Sequence, residues 1–185
     1  MQECDTPLNS FFDASDFASA AELLELLAAQ GKTLACAESC TGGLIASMLT
    51  EQPGSSRVFT AGFITYSNAM KQAMLGVSET TLQAHGAVSE QTVCEMAAGA
   101  LQRSGADYAV AVSGIAGPDG GTKEKPVGTV WIAWGSKDNI RAQQFQLDEP
   151  RKYCQQLAAA IALDLIHRTA LQQTGTPPYF ARWAV

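Results

Sequence analysis

No uninterrupted apolar run in this 185-residue chain approaches the ~18–20 residues a helix needs to cross a bilayer. The amino terminus, Met1-Gln2-Glu3-Cys4-Asp5, is acidic and lacks the basic and apolar regions of a secretory signal. A cytoplasmic protein is therefore expected. Basic residues are scarce: 12 Lys and Arg stand against 18 Asp and Glu, a net charge of −6. Duplex nucleic acid needs clustered cations against its phosphates, which argues against a nucleic-acid partner. There are two histidines, His85 and His167, far apart in sequence, and five scattered cysteines with no Cys-x-x-Cys pair. This argues against a closed zinc site and a disulfide framework. No metal and no cofactor are expected, and the thiols read as reduced, small apolar side chains.

What is present is apolar mass. With 46% hydrophobic residues, the chain can bury one good core and is too short to expect two domains. Residues 1–15 carry Pro7, Asn9, Ser10 and Asp13 without a sustained period and read as an N-terminal extension. Ser19 and Glu22 have capping-box spacing ahead of a leucine-rich helix that stops at Gly31. Thr33 to Ala37 reads as a buried strand, Leu44 to about Glu51 as a helix, and Val58 to Tyr66 as a second strand. A short helix over residues 69–75, another over 78–84, and a core-facing helix after Ser89 follow. In that last helix Val93, Met96, Ala97, Ala100 and Leu101 share one face. Tyr108 to Val112 is a near-continuous apolar strand of the kind buried on both faces. Gly128–Trp134 and Ile140–Leu147 predict an antiparallel hairpin with a loop of about five residues. Asp148 is the expected cap of a long helix reaching about Leu171, with Pro150 in its first turn. In the tail, 173–185, Tyr179, Phe180 and Trp183 are expected to dock. Strands alternating with helices, then a hairpin, predict an α/β fold over 16–172. It would be a three-layer α/β/α sandwich on a mixed, mostly parallel sheet of about five strands.

Three strand ends carry chemistry. The first leads into Ala37-Glu38-Ser39-Cys40-Thr41-Gly42-Gly43, a strand-to-helix turn of the kind where open α/β sheets bind ligands. Its plain reading is a capped helix start; its functional reading is a nucleophile, Ser39, with approachable backbone around it. The second ends at Tyr66, with Asn68 as a helix cap and Lys71 one turn further. The third runs into the glycine-rich segment Ser113-Gly114-Ile115-Ala116-Gly117. A serine needs a base, and no histidine closely follows a strand end. Lys71 is the natural candidate if burial or a helix amino terminus keeps it neutral. Tyr66 would relay the proton or orient the amine. His85 reads as a helix C-terminal residue, with a Ser–His pair as the lesser alternative. Glu38 either orients the loop amides or helps set the charge on Lys71.

Five blocks in order resemble the CinA C-terminal domain family: the Ala37–Gly43 segment, Thr65-Tyr66-Ser67-Asn68, Gly86-Ala87-Val88-Ser89, Ser113 to Pro118, and Lys125 to Val130. The resemblance implies a nicotinamide-nucleotide amidase, active on nicotinamide mononucleotide (NMN) without metal in pyridine-nucleotide salvage. It also implies a Ser–Lys site carried onto Ser39 and Lys71 with Tyr66 in support, and favours a homodimer. Thr41, Gly42 and Gly43 would supply oxyanion amides. Asn68, Ser113, Gly114, Ile115, Ala116, Gly117 and Arg151 would bind substrate, the glycine loop cradling the 5′-phosphate. One departure stands out. Family members often open the last helix with Gly-Asp-Arg and carry a further arginine one turn on. Aligned without a gap, Glu149 and Tyr153 take those places here, leaving Arg151 or Lys152 to serve from a shifted position. The departure keeps two further readings open: a catalytically silent nucleotide-binding relative, and a serine amidase of another small amide.

Overall fold

A computed structural model describes residues 17–185; the expected extension over 1–15 lies outside the described residues. Ser19 and Glu22 do form a capping box, at the start of Ala20–Ala29 (α1). The strands are Leu34–Glu38 (β1), Phe59–Ile64 (β2), Tyr108–Gly114 (β3), Thr129–Ser136 (β4) and Asn139–Gln146 (β5). The helices that follow α1 are Leu44–Thr50 (α2), Asn68–Leu75 (α3), Glu79–His85 (α4), Glu90–Ser104 (α5), Arg151–Ala170 (α6) and Phe180–Trp183 (α7). The sheet order is β2-β1-β3-β4-β5. β1 pairs in parallel with β2 and β3, while β4 runs antiparallel to both its neighbours. Four strands thus share one direction, and β1 is central among the three parallel ones.

Alternation along β1 feeds two cores. Leu34 and Cys36 join α1, α2 and α6 on one face. Ala35 and Ala37 join α5 and the end of α3 on the other. That second face is floored by Ala35, Ala37, Ala109, Ala111 and Ala133, side chains small enough for α5 to lie close to the sheet. Gly99 of α5 carries the same logic further, since a Cβ there would overlap the Leu75 carbonyl oxygen at the end of α3. Adding even one methyl group at such a contact forces the two helices apart.

Three local expectations need correction. The β4–β5 hairpin turns in two residues, Lys137 and Asp138, because Ser136 and Asn139 still pair. Asp148 does not cap α6: its carboxylate accepts from Gln146 Nε2 at 2.5 Å, and Pro150 takes the cap position without a side-chain bond. The second strand stops at Ile64; the Thr65 amide still donates to the Glu38 carbonyl at 2.8 Å, and the carbonyls of Thr65 and Tyr66 turn toward Lys71. The tail docks as α7. Tyr179 donates its hydroxyl to buried Asp164 at 2.8 Å, Phe17 and Phe180 pack around it at 5.1 and 5.6 Å between ring centroids, and Ala184 bridges to Phe145. No helix among the described residues is long and apolar enough to cross a membrane.

Candidate active site

The three strand ends meet because of register. Glu38 pairs with Ile64 on one side and Val112 on the other, so Ser39, Tyr66 and Ser113 emerge side by side. The Ser39 amide donates to the Val112 carbonyl at 3.0 Å, which continues the ladder one residue and fixes the serine against β3. The chain then reverses through Gly42 and Gly43, at φ 64° and 103°, a left-handed conformation that glycine adopts without strain.

Glu38 holds that turn from beneath. It is wholly buried, and its carboxylate accepts from the amides of Gly43 at 3.0 Å, Ile45 at 3.1 Å and Ala46 at 2.9 Å. Cys36 Sγ adds a weak fourth donor at 3.5 Å. The first amides of a helix have no partner within it, and Glu38 satisfies three at once. Of the two roles open to it, the geometry shows the orienting one.

Lys71 approaches from the other side. Ser67 caps α3 through the Met70 amide at 3.2 Å, and one turn on the Lys71 side chain runs inward, 1% exposed. Nζ donates to the carbonyls of Thr65 at 3.0 Å and Tyr66 at 3.4 Å, and lies 3.0 Å from Ser39 Oγ. Among the described residues no carboxylate pairs with it. Burial lowers its pKa below the usual lysine value. When neutral, the amine keeps two N–H bonds to the carbonyls and aims its lone pair at the serine hydroxyl. Tyr66 contributes to this contact through its carbonyl; its phenol is exposed and accepts from Arg151 Nη2 at 3.3 Å.

Ser39, Lys71, Tyr66, Ser113, Gly114, Ile115, Ala116, Gly117 and Arg151 line one cavity of about 280 Å³. Ser113 donates its hydroxyl to the Ala87 carbonyl at 2.8 Å, which joins the Gly86–Ser89 block to β3. Arg151 Nη1 donates to the Gly117 carbonyl at 2.8 Å, so α6 braces the glycine loop. Larger concavities, of about 450 and 540 Å³, contain none of the expected site residues.

Some expected residues lie elsewhere. Thr41, Gly42 and Gly43 line a separate cavity of about 410 Å³ with Lys152, Gln155 and Gln156. The Gly42 amide is engaged by the Ser39 carbonyl and the Gly43 amide by Glu38. Asn68 is exposed and lines neither cavity. His85 is exposed at the end of α4, with its carbonyl accepting from Lys125 Nζ at 2.7 Å. Cys40 does line the cavity, but burial pushes its thiol up to about 12, which keeps it a thiol at neutral pH. Sequence reasoning missed Asp119 and the Thr65 carbonyl. Asp119 was legible as a carboxylate in the glycine-rich loop after a strand; a backbone carbonyl leaves no side-chain signal.

A family model described as the CinA C-terminal domain matches residues 16–170. A nicotinamide-nucleotide amidohydrolase PncC of Escherichia coli K12 is 50% identical over 153 residues, covering 81% of this chain and 92% of that protein. A CinA-like protein of Colwellia psychrerythraea is 54% identical over 165 residues, 89% of this chain; the match spans only 38% of that longer relative. A solved CinA-superfamily structure from Klebsiella pneumoniae superposes with a TM-score of 0.80 at 36% identity, covering 83% of this chain and 96% of that one. With the family model matched over residues 16–170, the chain belongs to the CinA C-terminal domain family.

Proposed function

We propose that this protein is a nicotinamide-nucleotide amidase that converts NMN and water to nicotinate mononucleotide and ammonia, in pyridine-nucleotide salvage. One observation carries the mechanism: Lys71 Nζ, buried and with no carboxylate partner among the described residues, sits 3.0 Å from Ser39 Oγ. Neutral Lys71 takes the hydroxyl proton as Ser39 Oγ attacks the carboxamide carbon. The carbonyl oxygen becomes an oxyanion. With the Gly42 and Gly43 amides engaged, the Cys40 amide serves it, directly after the nucleophile and on the cavity wall. The Lys71 ammonium returns its proton to the amide nitrogen, ammonia leaves, and an acyl-enzyme forms on Ser39. Water, deprotonated by Lys71, then attacks the ester; the Lys71 ammonium returns that proton to Ser39 Oγ as the C–O bond breaks, and the nicotinate product leaves with the enzyme restored.

The E. coli and Enterobacter agglomerans relatives named nicotinamide-nucleotide amidohydrolases support this substrate. The cavity, near the low end of the ~300–1,000 Å³ usual for ligand sites, suits one mononucleotide. Glu149 and Tyr153 stand where family members often have arginine, which favours the catalytically silent reading; Arg151 on the cavity wall supplies a cation instead. Mass spectrometry of NMN incubated with the protein decides it. A gain of one mass unit with one equivalent of ammonia is the expected result, and NMN recovered unchanged would overturn the proposal.

A further inference from the structure

Resting on the amidase reading, the cavity's charges carry one inference further. Among the described residues, the acidic and basic side chains that line it are Lys71, Arg151 and Asp119. Lys71 is buried beside Ser39, so the reacting carboxamide and its ring belong at that deep end. Arg151 and Asp119 are exposed and therefore belong to the mouth, where the ribose and phosphate of a mononucleotide would lie. A phosphate next to a carboxylate is repelled, whereas beside an unneutralised guanidinium it is held by paired, charge-assisted bonds. Arg151 reaches the Gly117 carbonyl, two residues from Asp119, and among the described residues no carboxylate pairs with it. The Asp119 carboxylate itself has no hydrogen-bond or ion-pair partner among the described residues. An ionised carboxylate offers only acceptors, and the mouth-side group of the substrate that offers two adjacent donors is the ribose 2′,3′-diol.

We infer that Asp119 is a specificity-determining residue that accepts hydrogen bonds from the ribose diol, leaving Arg151 for the phosphate. A carboxylate reading a ribose hydroxyl at a strand-end glycine loop uses a chemistry known from dinucleotide sites of other folds, reached here on a loop without their fingerprint. The site should accordingly reject substrates that keep the ring and phosphate but lack the diol.

The test is a cycle between residue and substrate, using NMN and its 2′,3′-dideoxy analogue with the native chain, Asp119→Asn and Asp119→Ala. The native enzyme should prefer NMN by ~10- to 100-fold in kcat/KM, the usual loss when a charged group forfeits its partner. Asp119→Ala should lose most of that factor for NMN, chiefly through KM, and leave the dideoxy compound unchanged. Asp119→Asn should keep part of the preference. Equal losses on both substrates, as expected of a carboxylate that faces the ring or merely shapes the loop, would overturn the assignment, as would no loss on either. The same cycle is measured as equilibrium binding in a Ser39→Ala background. Ammonia release without diol selectivity removes the Asp119 role alone. Diol-selective binding without ammonia release removes the amidase reading and leaves Asp119 standing. An absence of NMN binding removes both.

Discussion

Ser39 stands between two buried side chains of opposite formal charge, and the molecule treats them differently. Glu38, on the α2 side, is given three backbone amides. Its charge is spread over donors that would otherwise lack partners, so burial is offset and the turn becomes rigid. Lys71, on the α3 side, is given two carbonyls and a hydroxyl, with no anion among the described residues. Its charged form is penalised by desolvation. One buried group is stabilised for structure, and the other is kept ready to exchange a proton. The two do not pair with each other, and an ion pair would have raised the lysine's pKa.

The strongest way to break this comparison is to remove what both groups serve. Ser39→Ala should abolish NMN turnover, a loss of at least ~10⁴-fold, with fold and NMN binding retained. Residual activity near the native rate would transfer the nucleophile to another residue. Next comes the lysine. Lys71→Ala and Lys71→Arg should each lose ~10²–10⁴-fold in kcat, because arginine keeps charge but cannot accept a proton. A Lys71→Arg enzyme with near-normal kcat would reduce Lys71 to a binding cation. The pH profile sharpens the same point. Since burial lowers the Lys71 pKa, kcat/KM should rise with pH through a value below the ~10.4 of free lysine. The neutral, active form then predominates above that point and is lost by protonation below it. That rising limb should be missing from whatever rate Lys71→Arg retains.

Glu38 should respond as a structural acceptor. Glu38→Gln keeps the shape but replaces one acceptor oxygen by an NH₂ facing backbone donors. A loss of ~2–4 kcal/mol in unfolding free energy is expected, read by denaturant titration. Unchanged stability with altered pH dependence would instead place Glu38 in charge control of Lys71. The smallest effect belongs to Cys40→Ala. Its high pKa removes the thiolate at neutral pH, and the rate should stay within about threefold of native, apart from a packing penalty on stability. A silent Cys40→Ala enzyme beside an active Ser39→Ala one would overturn the assignment in favour of a thiol mechanism.

The elements differed in how legible they were. β1 and β3 announced themselves as apolar runs, and Ser19 and Ser89 cap their helices as expected, whereas Ser67 rather than Asn68 caps α3. The hairpin loop was misjudged because Gly135 and Asn139, ordinary turn residues, are paired strand residues here. The Thr41–Gly43 segment was read as facing substrate; the turn carries it past Ser39 to a neighbouring cavity.

The sequence by itself determined the layer order, the strand-end position of Ser39, Tyr66 and Ser113, and the poverty in histidine and clustered cations. Those follow from periodicity, capping and composition, which are local or additive. Only the tertiary structure decided that Lys71 is buried, that its Nζ meets Ser39 across 32 residues of chain, that Glu38 turns toward α2, and that Asp119 shares a cavity with Arg151. These depend on where β2 and β3 lie beside β1. Pairing register and the path of the chain after each strand are properties of contacts distant in sequence, and no local pattern encodes them.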